Sequence, residues 1–344
     1  MRLLIIGGTS FLGRATAEEA LARGWEVTTF NRGQSNADVA GVEAVRGDRD
    51  DDAALGQLAG RPFDVVVDTC GFVPRVVGKS AVVLAESGAH YVFVSSISAT
   101  PTWPRSHTPE DVEGQPCASD AGPDDGDYGV LKAGCERAVL EVFGDHATIA
   151  RAGLIIGPHE NVGRVPAWLD RMARGGEVLA PGTPDLPMQL VDARDLAAFM
   201  LGCGAAGTPG TFNATAPTGN STYGGVLDHC RSATGSDATL TWVGDGFLLE
   251  REVEPWTELP LWMPLGVPGD DNGDHVWDAD TSLTAAAGMR NRPVRDSIAD
   301  TWAWMQDGGR PAQRPRHAPA MRHGIDPDKE AAILAAWHAR AASG

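Results

Sequence analysis

The sequence has no basic surplus. It carries 28 lysines and arginines against 46 acids, a formal charge of −18, whereas a nucleic-acid surface needs a basic stripe. Its arginines are scattered, and Arg310, Arg314, Arg316 and Arg322 form only a loose cluster. A nucleic-acid partner is therefore disfavoured, and the acidity reads as a solubility feature. Long hydrophobic runs are missing as well. No stretch approaches the length of a membrane span, and the four apolar residues after Met1-Arg2 are too few for a secretory signal. The five cysteines (Cys70, Cys117, Cys135, Cys203 and Cys230) are odd in number, widely spaced and never in a C-x-x-C pair. The nine histidines include no H-x-x-x-H pair. Neither a disulfide framework nor a metal site is expected, and reduced thiols point to a cytoplasmic protein. There is no internal repeat and no low-complexity tract.

What the chain does have is alternation. Leu3-Leu4-Ile5-Ile6 ends in glycines, as a buried parallel strand would. A helix is expected from about Phe11 to Arg23, stopped by Gly24. Strands are expected over Trp25–Phe30, at Ala44-Val45, over Phe63–Asp68 and over Tyr91–Val94, with a helix from about Val76 to Ser87. Residues 101–127, rich in proline, glycine and acids, predict a long loop that is functional or mobile. A helix then runs from about Tyr128 to Phe143, and a strand from Thr148 to Ile156. Strands alternating with helices imply right-handed crossovers and a parallel sheet covered on both faces. Beyond residue 205 the pattern is less regular, with strands expected over Thr211–Ala214 and Thr239–Val243. Seven of the ten tryptophans lie from Trp242 onward and predict a small second core. A proline- and arginine-rich linker between Gly308 and Pro319 precedes a last helix, with Asp326 as N-cap and Pro327 at its first position.

Gly7-Gly8-Thr9-Ser10-Phe11-Leu12-Gly13 falls directly between the first strand and the first helix. That context marks a dinucleotide fingerprint, because glycines let pyrophosphate approach backbone N–H groups at a helix N-terminus. Ser10 stands where the middle glycine of the pattern would be. At the end of the second strand Phe30-Asn31-Arg32-Gly33 offers no acid for a ribose 2′-hydroxyl, and Arg32 suits a 2′-phosphate. NADP(H) is thus favoured over NAD(H), with Asn31 as the ribose ligand in the NAD alternative. Asp48, after the third strand, is a candidate neighbour of the adenine.

Tyr128-Gly129-Val130-Leu131-Lys132 places a tyrosine and a lysine at i, i+4 on one helical face. A nearby ammonium favours the phenolate and moves the hydroxyl toward a useful pKa, and the lysine can also hold the nicotinamide ribose. Ser95-Ser96-Ile97-Ser98 follows an apolar strand at the sheet edge where ligands gather, so a hydroxyl there can hold a substrate oxygen. The order of glycine turn, strand-end serine and Tyr-x-x-x-Lys is more specific than any member.

With these motifs the sequence resembles the short-chain dehydrogenase/reductase superfamily, in its extended or atypical, NAD-dependent epimerase/dehydratase-like branch. Arg151-Ala152-Gly153-Leu154-Ile155-Ile156-Gly157-Pro158 and Gln189-Leu190-Val191-Asp192-Ala193-Arg194-Asp195-Leu196 extend the resemblance to about residue 215. It implies an α/β fold, a Rossmann-type doubly wound parallel sheet with a smaller interleaved C-terminal substrate lobe. Residues 1–157 would form the dinucleotide domain with 188–215 returning to it, 158–187 and 216–305 the lobe, and 306–344 a linker and final helix. The resemblance makes Tyr128 the acid/base, Lys132 its partner and Ser96 the carbonyl binder, with Ser95 and Ser98 as alternatives. His159, Arg164 and Trp168 would face the substrate, and the long loop carrying Trp103 and His107 would be a lid or disordered. The expected activity is an NAD(P)-dependent ketone or alcohol oxidoreductase of small-molecule or sugar metabolism. The alternatives are a nucleotide-sugar epimerase or dehydratase holding NAD tightly, and a non-catalytic dinucleotide sensor. The step from Ser96 to Tyr128 is long for this branch and suggests an unusual substrate; a homodimer is left open.

Overall fold

β1 (Arg2–Ile6) is apolar on both faces, and its side chains part company residue by residue. Leu3 and Ile5 enter one core with Val65, Val67 and Val92, while Leu4 and Ile6 enter another with Val66, Tyr91 and Phe93. A strand buried on both sides must be sandwiched, which explains the continuous apolar runs. The computed structural model describes residues 1–265, 275–311 and 323–341. Arg314, Arg316, Arg322 and most of the Gly308–Pro319 linker lie outside the described residues.

After β1 come α1 (Phe11–Ala22), β2 (Glu26–Asn31), β3 (Glu43–Arg46), α2 (Asp52–Leu55) and β4 (Val65–Asp68). They are followed by α3 (Pro74–Leu84), β5 (His90–Ser96), α4 (Tyr128–Phe143), β6 (Ala147–Ala152) and β7 (Leu154–Ile156). Next are α5 (Arg164–Ala173), β8 (Glu177–Pro181), β9 (Pro187–Met188), β10 (Leu190–Asp192), α6 (Ala193–Ala206) and β11 (Gly210–Ala214). The chain continues through β12 (Ser221–Thr222), α7 (Tyr223–Thr234), β13 (Thr239–Val243), α8 (Asp245–Leu249), β14 (Pro255–Trp256) and β15 (Leu259–Pro260). α9 (Ser282–Ala286), α10 (Val294–Gln306) and α11 (Pro327–Ala341) complete it.

Seven strands form one parallel sheet in the order β11-β6-β5-β4-β1-β2-β3. α1 and α6 cover one face, through Ala17, Ala20, Leu196, Ala197 and Met200. α3 and α4 cover the other, through Val77, Ala81, Leu84, Cys135, Ala138 and Val139. This is the Rossmann-type doubly wound arrangement, and its strand order reverses between β1 and β4. The ends of those two strands therefore diverge at the place where this fold binds ligands.

The chain divides into two units. Met1–Ile155, Leu190–Pro217 and Asp278–Asn291 form the first; Ile156–Gln189, Thr218–Trp277 and Arg292–Gly344 form the second. The sequence assigns 278–291 to the substrate lobe, but this segment joins the first unit. Buried Glu110 accepts the backbone N–H groups of Asn213 (3.1 Å) and Thr284 (3.0 Å), tying the segment to β11. The expected strand Thr148–Ile156 is broken: β6 stays in the main sheet, while β7 pairs with β10. Gly153 lies at the break, where a Cβ would come 2.3 Å from Thr215 Oγ1. In the second unit, α5 and α7 pack with α10, and β8 pairs in parallel with β13. Asp326 caps α11 by accepting the N–H groups of Asp328 (2.9 Å) and Lys329 (3.2 Å).

Candidate functional site

The turn after β1 is built from backbone that side chains cannot follow. Gly7 and Gly8 adopt φ of 112° and 96°. A Cβ on Gly7 would lie 2.5 Å from Thr69 Oγ1, and one on Gly13 2.8 Å from the Gly8 nitrogen. The tight approaches thus fall at positions 7, 8 and 13. Ser10 has an extended φ of −131° and needs no glycine, so the altered pattern costs the turn nothing. Phe11 has a φ of 39°, unusual outside glycine, while Thr9 and Leu12 are buried beneath the turn. Ser10 makes no side-chain cap to α1; its hydroxyl instead accepts Asn36 Nδ2 at 3.0 Å. The first N–H groups of α1 therefore lack a side-chain cap, and the helix dipole adds positive potential there. These residues fit the pyrophosphate of a dinucleotide.

At the end of β2, Arg32 points to Asp48 at 3.4 Å, a surface pair with both partners well exposed. Asp48 also accepts the Asp50 N–H at 3.1 Å, organising the turn before α2. The charge beside Asn31 is instead that of Asp38, which the sequence reading misses. Asp38 lies 3.4 Å from Asn31 Nδ2 and is paired with Arg46 from the end of β3. Hydrogen bonding from Arg46 holds its carboxyl below the ordinary carboxylate range, aided by Asn31.

α4 brings its N-terminus onto the end of β5, and Gly129 makes this approach possible: a Cβ there would sit 2.2 Å from the Ser98 carbonyl oxygen. Ser96 Oγ accepts the Ser98 N–H at 3.2 Å and donates to Ser98 Oγ at 3.1 Å, fixing the turn. Ser95 is withdrawn, because it is buried and donates to Glu136 Oε1 at 2.5 Å. Of the three serines, Ser96 and Ser98 stay partly open. Lys132 is 3% exposed, and its Nζ donates to the carbonyls of Gly71 (2.8 Å) and Val94 (2.6 Å). It also lies 4.6 Å and 5.2 Å from the ring centres of Phe93 and Phe72. Tyr128 is 52% exposed, its ring 6.4 Å from that of Phe72. Both side chains therefore flank Phe72, and among the described residues no hydrogen bond joins them. Two of the three ammonium donors are spent on carbonyls, one in the loop after β4 and one within β5; one remains.

Behind this face is a support that sequence reading overlooks, although Glu136 continues the Tyr128, Lys132 spacing by another four residues. Glu136 makes a two-pronged buried ion pair with Arg151, at 2.9 and 2.8 Å. Arg151 also donates to the Val112 carbonyl (2.7 Å), and Arg137 to those of Gly114 (3.2 Å), Gln115 (2.8 Å) and Cys117 (2.8 Å). Thr108 exchanges backbone hydrogen bonds with Asp278 and Asp280, and His107 pairs with Asp278 at 3.1 Å. The long loop is thus tied at residues 107, 108, 112, 114, 115 and 117. Trp103 is partly buried in it, next to Thr102, whose hydroxyl bonds Thr108 Oγ1 at 3.2 Å. Under the end of β4, Asp68 pairs with Arg49 at 2.9 and 2.7 Å and accepts the Tyr91 hydroxyl at 3.0 Å. Burial pushes that hydroxyl well above its ordinary range.

The remaining candidates belong to the second unit. Trp168, expected to face substrate, is instead a core residue: it is 2% exposed, donates to the Pro260 carbonyl at 2.7 Å and meets Tyr223 edge-on. Its place on the inner side of α5 leaves no surface for a ligand. Arg164 starts α5, its guanidinium 5.5 Å from the ring of Trp256, which stacks with Trp277. His159 has a left-handed φ of 66° and lies 5.2 Å from Trp304. Burial raises the Glu160 carboxyl, which accepts the Arg164 N–H at 2.8 Å. Among the described residues no three His, Cys, Asp or Glu side chains are grouped to hold a metal, and no helix is long and apolar enough to cross a membrane.

The family model described as NAD dependent epimerase/dehydratase matches residues 3–81, the segment holding the glycine turn and the ends of β2 and β3. No curated protein matches the chain. Among solved structures, it is similar to the Bordetella bronchiseptica enzyme WbmH in complex with NAD+, at 16% identity and a TM-score of 0.67, covering 89% of this chain and 98% of that one. The Thermotoga maritima UDP-glucose 4-epimerase with UDP-glucose gives 16% identity and 0.65, covering 90% and 99%. The Thermus thermophilus UDP-glucose 4-epimerase in complex with NAD gives 19% and 0.62, covering 89% and 99%. The family match thus covers the N-terminal segment, and the likeness to these solved structures is one of fold.

Proposed function

We propose that the chain is an NAD-dependent epimerase or dehydratase acting on a nucleotide-linked sugar. One observation carries this reading: buried Lys132 and exposed Tyr128 flank Phe72 where α4 meets the end of β5, in the sheet that also carries the uncapped glycine turn. A sensor has no need for a buried ammonium or a phenol so placed. The free oxidoreductase expected first from the sequence takes second place. Arg32, which in the sequence favours NADP(H), is paired with exposed Asp48, and the similar structures are epimerases or hold NAD.

Bound NAD would supply the hydride acceptor and donor at the substrate carbon. The chain's own part is to bind, orient and move a proton. Tyr128 Oη takes the proton from the substrate hydroxyl and later returns it. Lys132, held by two carbonyls, keeps a third N–H that would serve the phenol or the nicotinamide ribose. Ser96 Oγ holds the reacting substrate oxygen.

Mass spectrometry of ligands released from freshly purified protein tests the reading first, and near-stoichiometric NAD is expected. A panel of nucleotide sugars followed by NMR should then reveal epimerised or dehydrated product, lost in Tyr128→Phe. Consumption of added NADPH with a carbonyl substrate, without retained NAD, would establish the reductase instead. Turnover unchanged in Tyr128→Phe would remove the tyrosine from catalysis.

A further inference from the structure

Dinucleotide enzymes of this fold choose between NAD and NADP beside the ribose 2′ position, usually through an acid at the end of the second strand. That position here is Asn31, and its side chain is fully engaged. Asn31 Oδ1 accepts the Gly33 N–H (2.8 Å) and Arg46 (2.8 Å), and its Nδ2 donates toward Gly7 O (3.3 Å), Thr29 Oγ1 (3.3 Å) and Asp38 Oδ1 (3.4 Å). An amide offers two acceptor and two donor sites, so Asn31 has nothing left for a ribose unless it breaks these bonds. It is a positioning residue.

The loop after β2 closes back on the glycine turn. Asn36 Nδ2 donates to the Thr9 carbonyl (3.1 Å) and to Ser10 Oγ (3.0 Å), and two residues later Asp38 arrives beside Asn31. Arg46 packs against Gly33, where a Cβ would meet its Nε at 2.9 Å, and pairs with Asp38 through its two terminal nitrogens, Nη1 and Nη2. The Asp38 side chain stays 24% exposed and so within reach of a ligand, and the 3.4 Å approach of Asn31 Nδ2 is the contact that a ribose hydroxyl would displace. The local balance is one carboxylate neutralising one guanidinium.

We propose that Asp38 is the cofactor-selecting acid of this chain, receiving the ribose 2′-hydroxyl of NAD and excluding a 2′-phosphate, with Asn31 and Arg46 holding it in place. The acid missing from the strand end in sequence is thus supplied in space from a loop seven residues on. Arg32, on its own exposed pair with Asp48, takes no part in the choice. This rests on the dinucleotide reading of the glycine turn.

The test is equilibrium binding of NAD+ and NADP+ to nucleotide-stripped, full-length protein by titration calorimetry, with a thermal melt to show each variant folded. Wild type should bind NAD+ at least tenfold tighter than NADP+. Asp38→Asn, isosteric and uncharged, should lose about tenfold or more for NAD+, the scale of one hydrogen bond to a charged group. It should also gain NADP+ affinity, because Arg46 is released, and the added change Arg46→Ala should remove that gain. Arg32→Ala should leave the ratio within about twofold. An unchanged ratio in folded Asp38→Asn, a wild type that prefers NADP+, or a shift confined to Arg32→Ala would overturn the proposal while leaving dinucleotide binding intact. If wild type bound neither dinucleotide, the reading of the glycine turn would fail, and this proposal with it.

Discussion

Lys132 donates from α4 to two buried backbone carbonyls, those of Gly71 and Val94. Lys132→Met would fill the same space but strand the Gly71 and Val94 carbonyls away from water, at a cost of about 1–3 kcal/mol. Tyr128→Phe removes a hydroxyl from an exposed ring and should change stability by no more than about 0.5 kcal/mol. Both should lower turnover about a hundredfold or more. Urea unfolding beside steady-state rates separates the two roles. Equal stability losses would contradict the burial difference, and a stable Lys132→Met would mean the carbonyls find other partners. The pair itself was legible: the chain has only three tyrosines and three lysines (Lys79, Lys132, Lys329), and one of each stands four apart on a helix. Trp168 was not legible as core, because an apolar ring with one N–H suits a pocket or an interior equally. Only the Pro260 carbonyl, 92 residues away, decides it. Asp38 was missed for a similar reason, since a strand-end acid is sought at the strand end.

At the scale of the element, α4 is where local preference and packing conflict. Alanine is favoured over glycine inside a helix by about 1 kcal/mol, so propensity alone would make Gly129→Ala stabilising. Its Cβ would stand 2.2 Å from the Ser98 carbonyl oxygen and also crowd Gln115, and a forced shift of that kind costs about 1–3 kcal/mol. Packing wins, so Gly129→Ala should lower the melting temperature and displace Tyr128 from the Ser96 turn, with turnover falling more than nucleotide affinity. A stabilised Gly129→Ala would show that α4 and the Ser98 turn separate readily to admit the methyl group. The same helix restrains the long loop through Arg137. Amide exchange over residues 112–118 should be slow in wild type and at least about tenfold faster in Arg137→Ala, which frees three carbonyls. Fast exchange in wild type would restore the loop to a mobile lid. Composition correctly marks residues 101–127 as a loop, but proline and glycine content cannot distinguish a tethered loop from a free one. Over residues 112–117 the tethers are Arg137 and Arg151, and their partners are backbone carbonyls with no signature of their own.

Over the whole molecule, the strands and helices of the sheet were legible because period and punctuation are local. The return of Asp278–Asn291 to the first unit was not, since it depends on Glu110, more than 170 residues from Thr284. Charge is also a whole-chain property, and two of its effects run in opposite directions. A net −18 spreads repulsion over the folded surface. Against it, hydrogen bonding from cationic side chains holds Asp38 (by Arg46), Glu43 (by Arg61) and Asp64 (by Arg2) below the ordinary carboxylate range. For these three the folded pKa is the lower one, so their stabilisation is complete above the unfolded value of about 4. It is lost as pH falls through the depressed folded values. Buried Glu160 has the opposite sign: its raised carboxyl contributes in acid and loses that contribution as pH rises through the folded value. The three pairs are exposed and individually small, so at pH 7 the net repulsion should dominate. Adding about 0.3 M NaCl, which shortens the screening length to under about 10 Å, should then raise the melting temperature at pH 7. Near pH 5, where partial protonation has already lowered the net charge, the same salt should do less. Below about pH 4 stability should fall as the paired carboxylates are protonated. Thermal melts across pH 3–8 with and without salt read all three limbs. A melting temperature lowered by salt at pH 7 would mean that the local pairs outweigh the global field.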